Sequence, residues 1–164
     1  MSDAWVRALG PGDADAARAL VVRQFGGTRY STRLLEQLDA TCRGSDAEYQ
    51  GFVVMAQHGE SLCGFAMFGP VAGAPGAVKV HALVGTDASA LRQLARTMAG
   101  RSAMEHDRLL VCEVADDACC AVGAAALRAG GFVQEGFVRD WFADGVGAIV
   151  LVHRLAATSF RTLA

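Results

Sequence analysis

The sequence has few prolines, no long hydrophobic run and no excess of either charge. Its 164 residues include 15 Lys and Arg against 17 Asp and Glu, for a formal net charge of −2. Without a basic excess, we expect no binding to nucleic acid or to an acidic membrane surface. No apolar run approaches the roughly 20 residues that a spanning helix needs, and no basic segment precedes an apolar one near the N-terminus. We therefore expect neither a membrane span nor a signal peptide.

The cysteines form no recognisable framework. Their number is odd and two are adjacent: Cys42, Cys63, Cys112, Cys119 and Cys120. This usage is typical of free thiols in a reducing compartment, so we expect a cytoplasmic protein. Neither a Cys-x-x-Cys pair nor clustered histidines occur, and the sequence predicts no metal site.

What the chain does have is apolar residues, at 52% of the total, with a mean hydropathy of +0.28. That is enough for one compact domain with a sizeable core. We assign residues 1–156 to this domain and residues 157–164 to a C-terminal tail.

The centre of the chain predicts a strand, a crossover helix and a second strand. Residues 78–84 alternate as a half-buried strand does, and Gly85-Thr86-Asp87 interrupts them. Residues 88–99 have helical spacing up to Gly100, and residues 108–114 read as a buried strand. Such a unit is normally right-handed and parallel, and the turn after its first strand is suited to binding anions.

The flanking segments predict a mainly antiparallel sheet around that unit. The expected order is strand, two helices, three antiparallel strands, helix, strand, helix and two strands. The fold class is therefore α/β of the α+β type, with a mixed sheet, one central parallel pair and flanking helices. Expected helix caps are Asp13, Ser31 and Asp116-Asp117, with a loop at 41–50, a hairpin turn at 58–60, a last helix at 118–129 and a closing turn at Asp144-Gly145.

Three segments resemble the GNAT acyltransferase superfamily in order and spacing. They are a polar turn leading into a strand with a glycine (HGESLCGF, 58–65), a helix running into Gly-Phe (AALRAGGF, 125–132) and a final hairpin (139–151). The resemblance implies that the two central parallel strands splay apart and that acetyl-CoA, or another acyl-CoA, is the cosubstrate. It also implies three sets of cofactor contacts. Pantetheine is expected at Leu83, Val84 and Gly85, and pyrophosphate at Thr86, Ala88, Ser89 and Ala90. A further contact is expected in the last helix, near Cys120.

Two positions depart from the family pattern. The turn Gly85-Thr86-Asp87 is short, lacks the basic residue and the later glycines, and adds a negative charge where the cofactor is negative. Asp87 is alternatively just the helix cap. The family tyrosine that protonates the leaving thiolate corresponds here to Leu127. We therefore expect a degenerate cofactor loop.

Candidate catalytic residues lie on the two central strands. Glu113 ends the second strand and is a candidate general base, provided that Val111 faces the core; the alternative is a solvent-facing rim carboxylate. His81 lies inside the first strand and is either a base or a structural residue. A covalent acyl-cysteine is disfavoured because no histidine is paired with a cysteine in the sequence pattern.

The resemblance places the acceptor pocket near the first two helices and the last turn. Arg29 and Tyr30 are candidate substrate contacts, as is Trp141; a loop role for Tyr30 and core packing for Trp141 stay open. The expected function is an acyl-CoA-dependent N-acetyltransferase that acts on a small-molecule or peptide amine through a ternary complex. The alternative is a catalytically degenerate GNAT-like binding or regulatory module, and a homodimer is compatible with either.

Overall fold

The computed structural model describes residues 5–44, 49–56 and 61–155, so the predicted turn at 58–60 and the tail at 157–164 lie outside the described residues. Seven strands form one mixed sheet in the order β1-β2-β3-β4-β5-β7-β6, and only β4 and β5 are parallel among its pairs. The strands are β1 Trp5–Ala8, β2 Gln50–Met55, β3 Leu62–Pro70, β4 Ala77–Gly85, β5 Leu109–Ala115, β6 Val133–Ala143 and β7 Val146–Arg154. The helices are α1 Ala14–Phe25, α2 Arg29–Arg43, α3 Ala88–Met104 and α4 Ala121–Ala129. The predicted order of elements and fold class are confirmed. Within these ranges no helix is long and apolar enough to cross a bilayer.

The helices cover the two faces of the sheet and create two separate cores. On one face α1 and α2 pack on β3 and β4, for instance through Val21 and Leu38 against Phe65. On the other face α3 and α4 pack on β4, β5 and β7, with Leu94 and Leu127 fully buried. A ligand that reached between the strands would therefore contact helices from both layers.

Helix α2 differs from its predicted bounds at both ends. Its N-cap is Thr28, whose hydroxyl accepts a 3.3 Å hydrogen bond from the backbone N–H of Tyr30, so Ser31 lies in the first turn. The helix runs to Arg43 and ends at Gly44, whose φ of 62° suits a residue without a side chain. Because β2 also begins early, at Gln50, the prediction of a loop over 41–50 was wrong at both ends.

Helix α3 continues past the glycine that was predicted to end it. Gly100 lies inside the helix, which extends to Met104. The buried stripe of Leu94 and Met98 continues one turn further to the fully buried Ser102. Packing of this stripe outweighs the cost of about 1 kcal/mol that a mid-helix glycine imposes.

Two predicted caps have other roles. The carboxylate of Asp13 makes no cap hydrogen bond to α1; it accepts two bonds from Arg7, at 2.6 and 2.7 Å, and one from the N–H of Gly10. Asp117 accepts from the N–H groups of Cys119 and Cys120, in the turn before α4, so that helix begins at Ala121 instead of residue 118.

An irregularity in β4 separates the two central strands. Across β3, Phe68 pairs with Val80 and Met67 with Ala82, which leaves His81 as an extra residue in β4. Such a bulge bends the strand and exchanges its faces. Accordingly Val80 packs into the α3 core, whereas Ala82 packs into the α1–α2 core.

The parallel pairing stops where this bulge begins. Its last pair is Val80 with Cys112, although β4 continues to Gly85 and β5 to Ala115. Over its last residues β5 stays paired with β7, as far as Ala115 with Ala148. The splay expected between the central strands is therefore present, and it leaves one edge of β4 without a strand partner over its last five residues.

Candidate active site

The splay opens a cavity of about 740 Å³ that is lined from both faces of the sheet. Its walls come from the ends of β4 and β5, from α1 and α2 on one side, and from α3 and α4 on the other, with β6 closing one end. A pocket of this size and position is typical of a ligand site.

Ten of the thirteen residues that the sequence singled out line this one cavity. They are Arg29, Tyr30, His81, Leu83, Val84, Gly85, Thr86, Glu113, Cys120 and Trp141. The other three, Ala88, Ser89 and Ala90, lie in the first turn of α3 and do not line it. The residues are thus gathered in one place, and their roles remain predictions.

Residues at the N-terminus of α3 line the cavity, but two N–H groups of its first turn are already used. Asp87 is the N-cap, and its Oδ1 accepts from the N–H groups of Ser89 and Ala90 at 2.8 and 3.0 Å. The N–H of Thr86 donates to Cys63 O, and that of Leu91 donates to Asp87 O. The hydrogen bond from Ala90 is the main cause that lowers the pKa of Asp87. An internal carboxylate therefore occupies the place where an external anion would bind a helix end.

The unpaired edge of β4 also has one internal partner. The Nε2 of Gln24, from α1, donates to the carbonyl oxygen of Gly85. Gln24 was not singled out in the sequence because its partner lies 61 residues further along the chain. A ligand that paired with the end of β4 would compete with this side chain.

Glu113 is held in an ion pair on the α1–α2 side of the sheet. Its Oε2 lies 2.8 Å from the Nζ of Lys79, and both side chains are about one-quarter to one-third exposed. The premise that Val111 faces the core is wrong: Cys112 is buried in the α3 core, and Glu113 therefore points to the opposite face. The carboxylate nevertheless lines the cavity, next to an ammonium that was not predicted as its partner.

Tyr30 connects α2 to the turn before α4. Its hydroxyl donates to Asp117 Oδ2 at 2.5 Å, and its ring packs edge-on against Phe25 and Phe142. Burial, followed by the hydrogen bond to Asp117, raises the pKa of Tyr30, so the phenol stays protonated at neutral pH. The tyrosine is thus fixed in the cavity wall and is more than a loop residue.

The cysteines near the cavity are protonated and poorly suited to attack a thioester. Burial raises the pKa of Cys112 to about 12, and burial followed by Cys119 raises that of Cys120. The sulfurs of Cys119 and Cys120 lie 3.6 Å apart, and Cys119 donates to Asp117. Because the thiolate is the nucleophile, these environments disfavour a covalent acyl-cysteine.

The remaining candidates sit at the rim or inside β4. Arg29 lines the cavity with Arg33, which is one turn further along α2 and was not singled out. The ring of His81 packs edge-on against the ring of Tyr49, with 4.7 Å between the ring centroids. Trp141 is 56% exposed, which excludes core packing as its role.

The comparisons with known proteins agree on the fold. Neither protein-family profiles nor curated protein sequences give a match. Among solved structures, a protein assigned to the GNAT acetyltransferase family from Desulfovibrio desulfuricans superposes with a TM-score of 0.78 at 20% identity, covering 93% of this chain and 99% of the other. The ribosomal-protein-S18-alanine N-acetyltransferase of Escherichia coli gives 0.73 at 14% identity, covering 98% and 99%. A phosphinothricin acetyltransferase of Sinorhizobium meliloti, solved with acetyl-CoA, gives 0.71 at 12% identity, covering 93% and 88%. The chain therefore has a GNAT-like fold.

Proposed function

We propose that the protein is an acyl-CoA-dependent N-acyltransferase that transfers an acetyl group directly to a primary amine. The observation that supports this proposal is the splay of β4 from β5 beyond Val80 and Cys112, with a cavity of about 740 Å³ in the gap. A closed sheet would have left no room for a thioester between the strands. The similar structure of the Sinorhizobium meliloti enzyme was solved with acetyl-CoA, which supports the same class of donor.

The residues present fit the two ends of this donor unequally. The open edge of β4 at Leu83–Gly85 offers backbone groups to the amides of a pantetheine arm, once Gln24 has moved from Gly85. The α3 N-terminus does not fit a pyrophosphate as it stands, because the carboxylate of Asp87 is negative and holds two of its N–H groups. When bound, an acyl-CoA would supply the activated acyl group, and this chain would hold it mainly through the strand gap.

Glu113 is the candidate base of the reaction. An amine attacks only when neutral, so an ammonium acceptor must first lose a proton. Glu113 lines the cavity as a carboxylate, and only its Oε2 is bonded to Lys79 within the described part of the chain. Its second oxygen can accept the proton directly or through water.

The test is turnover by the wild-type protein and by Glu113→Gln, followed as free-thiol release from acetyl-CoA with a panel of amines. We expect wild-type turnover and a loss of roughly 10²–10⁴-fold in kcat for the variant, the usual contribution of a positioned base. The effect should shrink at high pH, where the amine is already neutral. Wild-type turnover without any effect of the substitution would reject Glu113 as the base.

The second candidate is a GNAT-like binding or regulatory module without catalysis. Asp87 favours it specifically, because its carboxylate occupies two of the N–H groups that a helix end offers to an anion. Thermal unfolding with millimolar acetyl-CoA separates the candidates. A ligand at 100 times its Kd adds about 2.7 kcal/mol to the free energy of unfolding, so binding should raise the unfolding temperature. If the unfolding temperature does not change and no turnover is found, the module is favoured.

A further inference from the structure

The charges around the cavity are unbalanced on the α1–α2 side. The charged residues that line it are Arg29, Arg33, Lys79, Asp87 and Glu113. Lys79 and Glu113 neutralise each other at 2.8 Å, and Asp87 keeps its negative charge at the start of α3. The lining as a whole is therefore positive, and Arg29 and Arg33 on α2 carry this excess.

These two arginines are arranged to act together. They are four residues apart on α2, and Gln37 follows after the same interval, so all three lie on one face of the helix and line the cavity. Within the described ranges neither guanidinium has a hydrogen bond or an ion pair. Guanidinium groups bind carboxylate and phosphate oxygens in bidentate geometry.

Two acidic side chains already occupy N–H groups at the two helix ends beside the cavity. Asp87 takes the N–H groups at the start of α3, and Asp117 takes those of Cys119 and Cys120 before α4. The cationic groups that can bind an anion in this cavity, apart from the paired Lys79, therefore lie on α2. This helix packs on the sheet face opposite to α3.

We propose that Arg29 and Arg33 form an anion-binding subsite for the acceptor, and that the acceptor is an amine that also carries a carboxylate or phosphate group. This proposal rests on the proposed transferase function. The acid group binds the two guanidinium groups, while the amine of the same molecule reaches the strand gap near Glu113. Neutral amines of the same shape lack this anchor and are weaker substrates.

The first experiment compares matched acceptors with acetyl-CoA. L-methionine is compared with L-methioninamide and O-phosphoethanolamine with ethanolamine, so that the carboxylate and phosphate arms are separate. We expect kcat/KM for at least one acid to exceed that of its neutral partner by about tenfold or more, the range of a charge-assisted hydrogen bond. In Arg29→Gln, Arg33→Gln and the double variant this ratio should fall toward one through KM. Arg96→Gln, an exposed arginine of α3 outside the cavity, should keep it.

A second measurement does not depend on turnover. N-acetyl-L-methionine should raise the unfolding temperature of the wild-type protein more than its amide does, and Arg33→Gln should remove that difference; O-phosphoethanolamine serves as the phosphate probe. Shifts that are equal for acid and neutral partners, or that survive in the double variant, would overturn the proposal. So would a rise in the KM of acetyl-CoA without one in the KM of the acceptor, since the arginines would then hold the donor. If no turnover is found but the shift in unfolding temperature depends on the arginines, the transferase function is rejected and the anion subsite is retained.

Discussion

Asp87 provides the sharpest test of how the cavity treats a donor, because one side chain both carries a negative charge and occupies two N–H groups. Asp87→Asn removes the charge and keeps an acceptor for the N–H groups of Ser89 and Ala90. Asp87→Gly removes the charge and also the acceptor oxygen, and glycine at an N-cap lowers helix stability by only a few tenths of a kcal/mol. Comparison of the two variants separates charge from occupancy.

The expected gain in acetyl-CoA affinity follows from the position of the Asp87 carboxylate. A like charge at about 5 Å costs about 3 kcal/mol at an effective dielectric of 20, and below 1 kcal/mol at that of water. Asp87 is exposed, so the lower part of this range applies. We expect Asp87→Asn to tighten acetyl-CoA binding roughly fivefold to tenfold. Release of the two N–H groups in Asp87→Gly should bring the gain to roughly thirtyfold or more.

Titration calorimetry with two donors gives the readout. Acetyl-CoA carries the phosphates, whereas S-acetylpantetheine lacks them and should bind both variants as it binds the wild type. Asp15→Asn makes the same charge change at the start of α1, outside the cavity, and should leave acetyl-CoA binding unchanged. Unaltered acetyl-CoA affinity in Asp87→Gly, or an equal gain for S-acetylpantetheine, would refute the reasoning.

Two further predictions concern the stability of the scaffold. A Cβ on Gly64 would lie 2.8 Å from the carbonyl oxygen of Val84. Gly64→Ala should therefore lower the free energy of unfolding by about 1–3 kcal/mol, lower Tm by several degrees and weaken the binding of S-acetylpantetheine. The control is Gly100→Ala, which has open space around the new Cβ and should raise Tm. Equal Tm changes in both would contradict the close approach. The hydrogen bonds from Arg7 hold the pKa of Asp13 below its usual range, so this pair stabilises the fold above the unfolded pKa of about 4 and loses that contribution as the pH falls. Asp13→Asn should therefore cost about 2 kcal/mol at pH 7, and urea titrations should show a flatter acid limb; an unchanged limb would mean that the pair does not titrate with unfolding.

The sequence was sufficient for the order of elements because most of them carry a clear period. Residues 78–84 alternate, and α3 shows an apolar stripe, so both were predicted with the correct type. The end of α3 was missed because Gly100 is a strong local signal, whereas the burial of Ser102 depends on tertiary packing. The start of α2 was missed because Ser31 is, from sequence alone, at least as good a cap as Thr28.

The candidate site was predicted from the central strands and from the segments that the family resemblance marks. His81, Glu113 and the end of β4 fall on the central strands, and they do line one cavity. Contacts between distant segments gave no sequence signal: Tyr30 bonds Asp117 across 87 residues, and Lys79 pairs with Glu113 across 34. The pair of Arg29 with Arg33 was missed because the helix was predicted to begin after Ser31, whereas it begins at Arg29.

The bulge at His81 is the feature that the sequence least reveals. An alternating strand gives no sign of one extra residue, since the apolar pattern continues through Ala82 and Val84. The structure shows that these two side chains face the opposite core from Val78 and Val80. The splay that creates the cavity depends on this change of face.

The most direct test of the central claim is amide hydrogen exchange of the full chain with and without S-acetylpantetheine, repeated with acetyl-CoA. If the gap between β4 and β5 holds the acyl-pantetheine arm, exchange should slow in the segments around Leu83–Gly85 and Glu113–Ala115 and stay unchanged in the outer strands β1 and β2. Protection confined to other segments, or none at ligand concentrations that saturate binding, would contradict the assignment of this gap as the donor site.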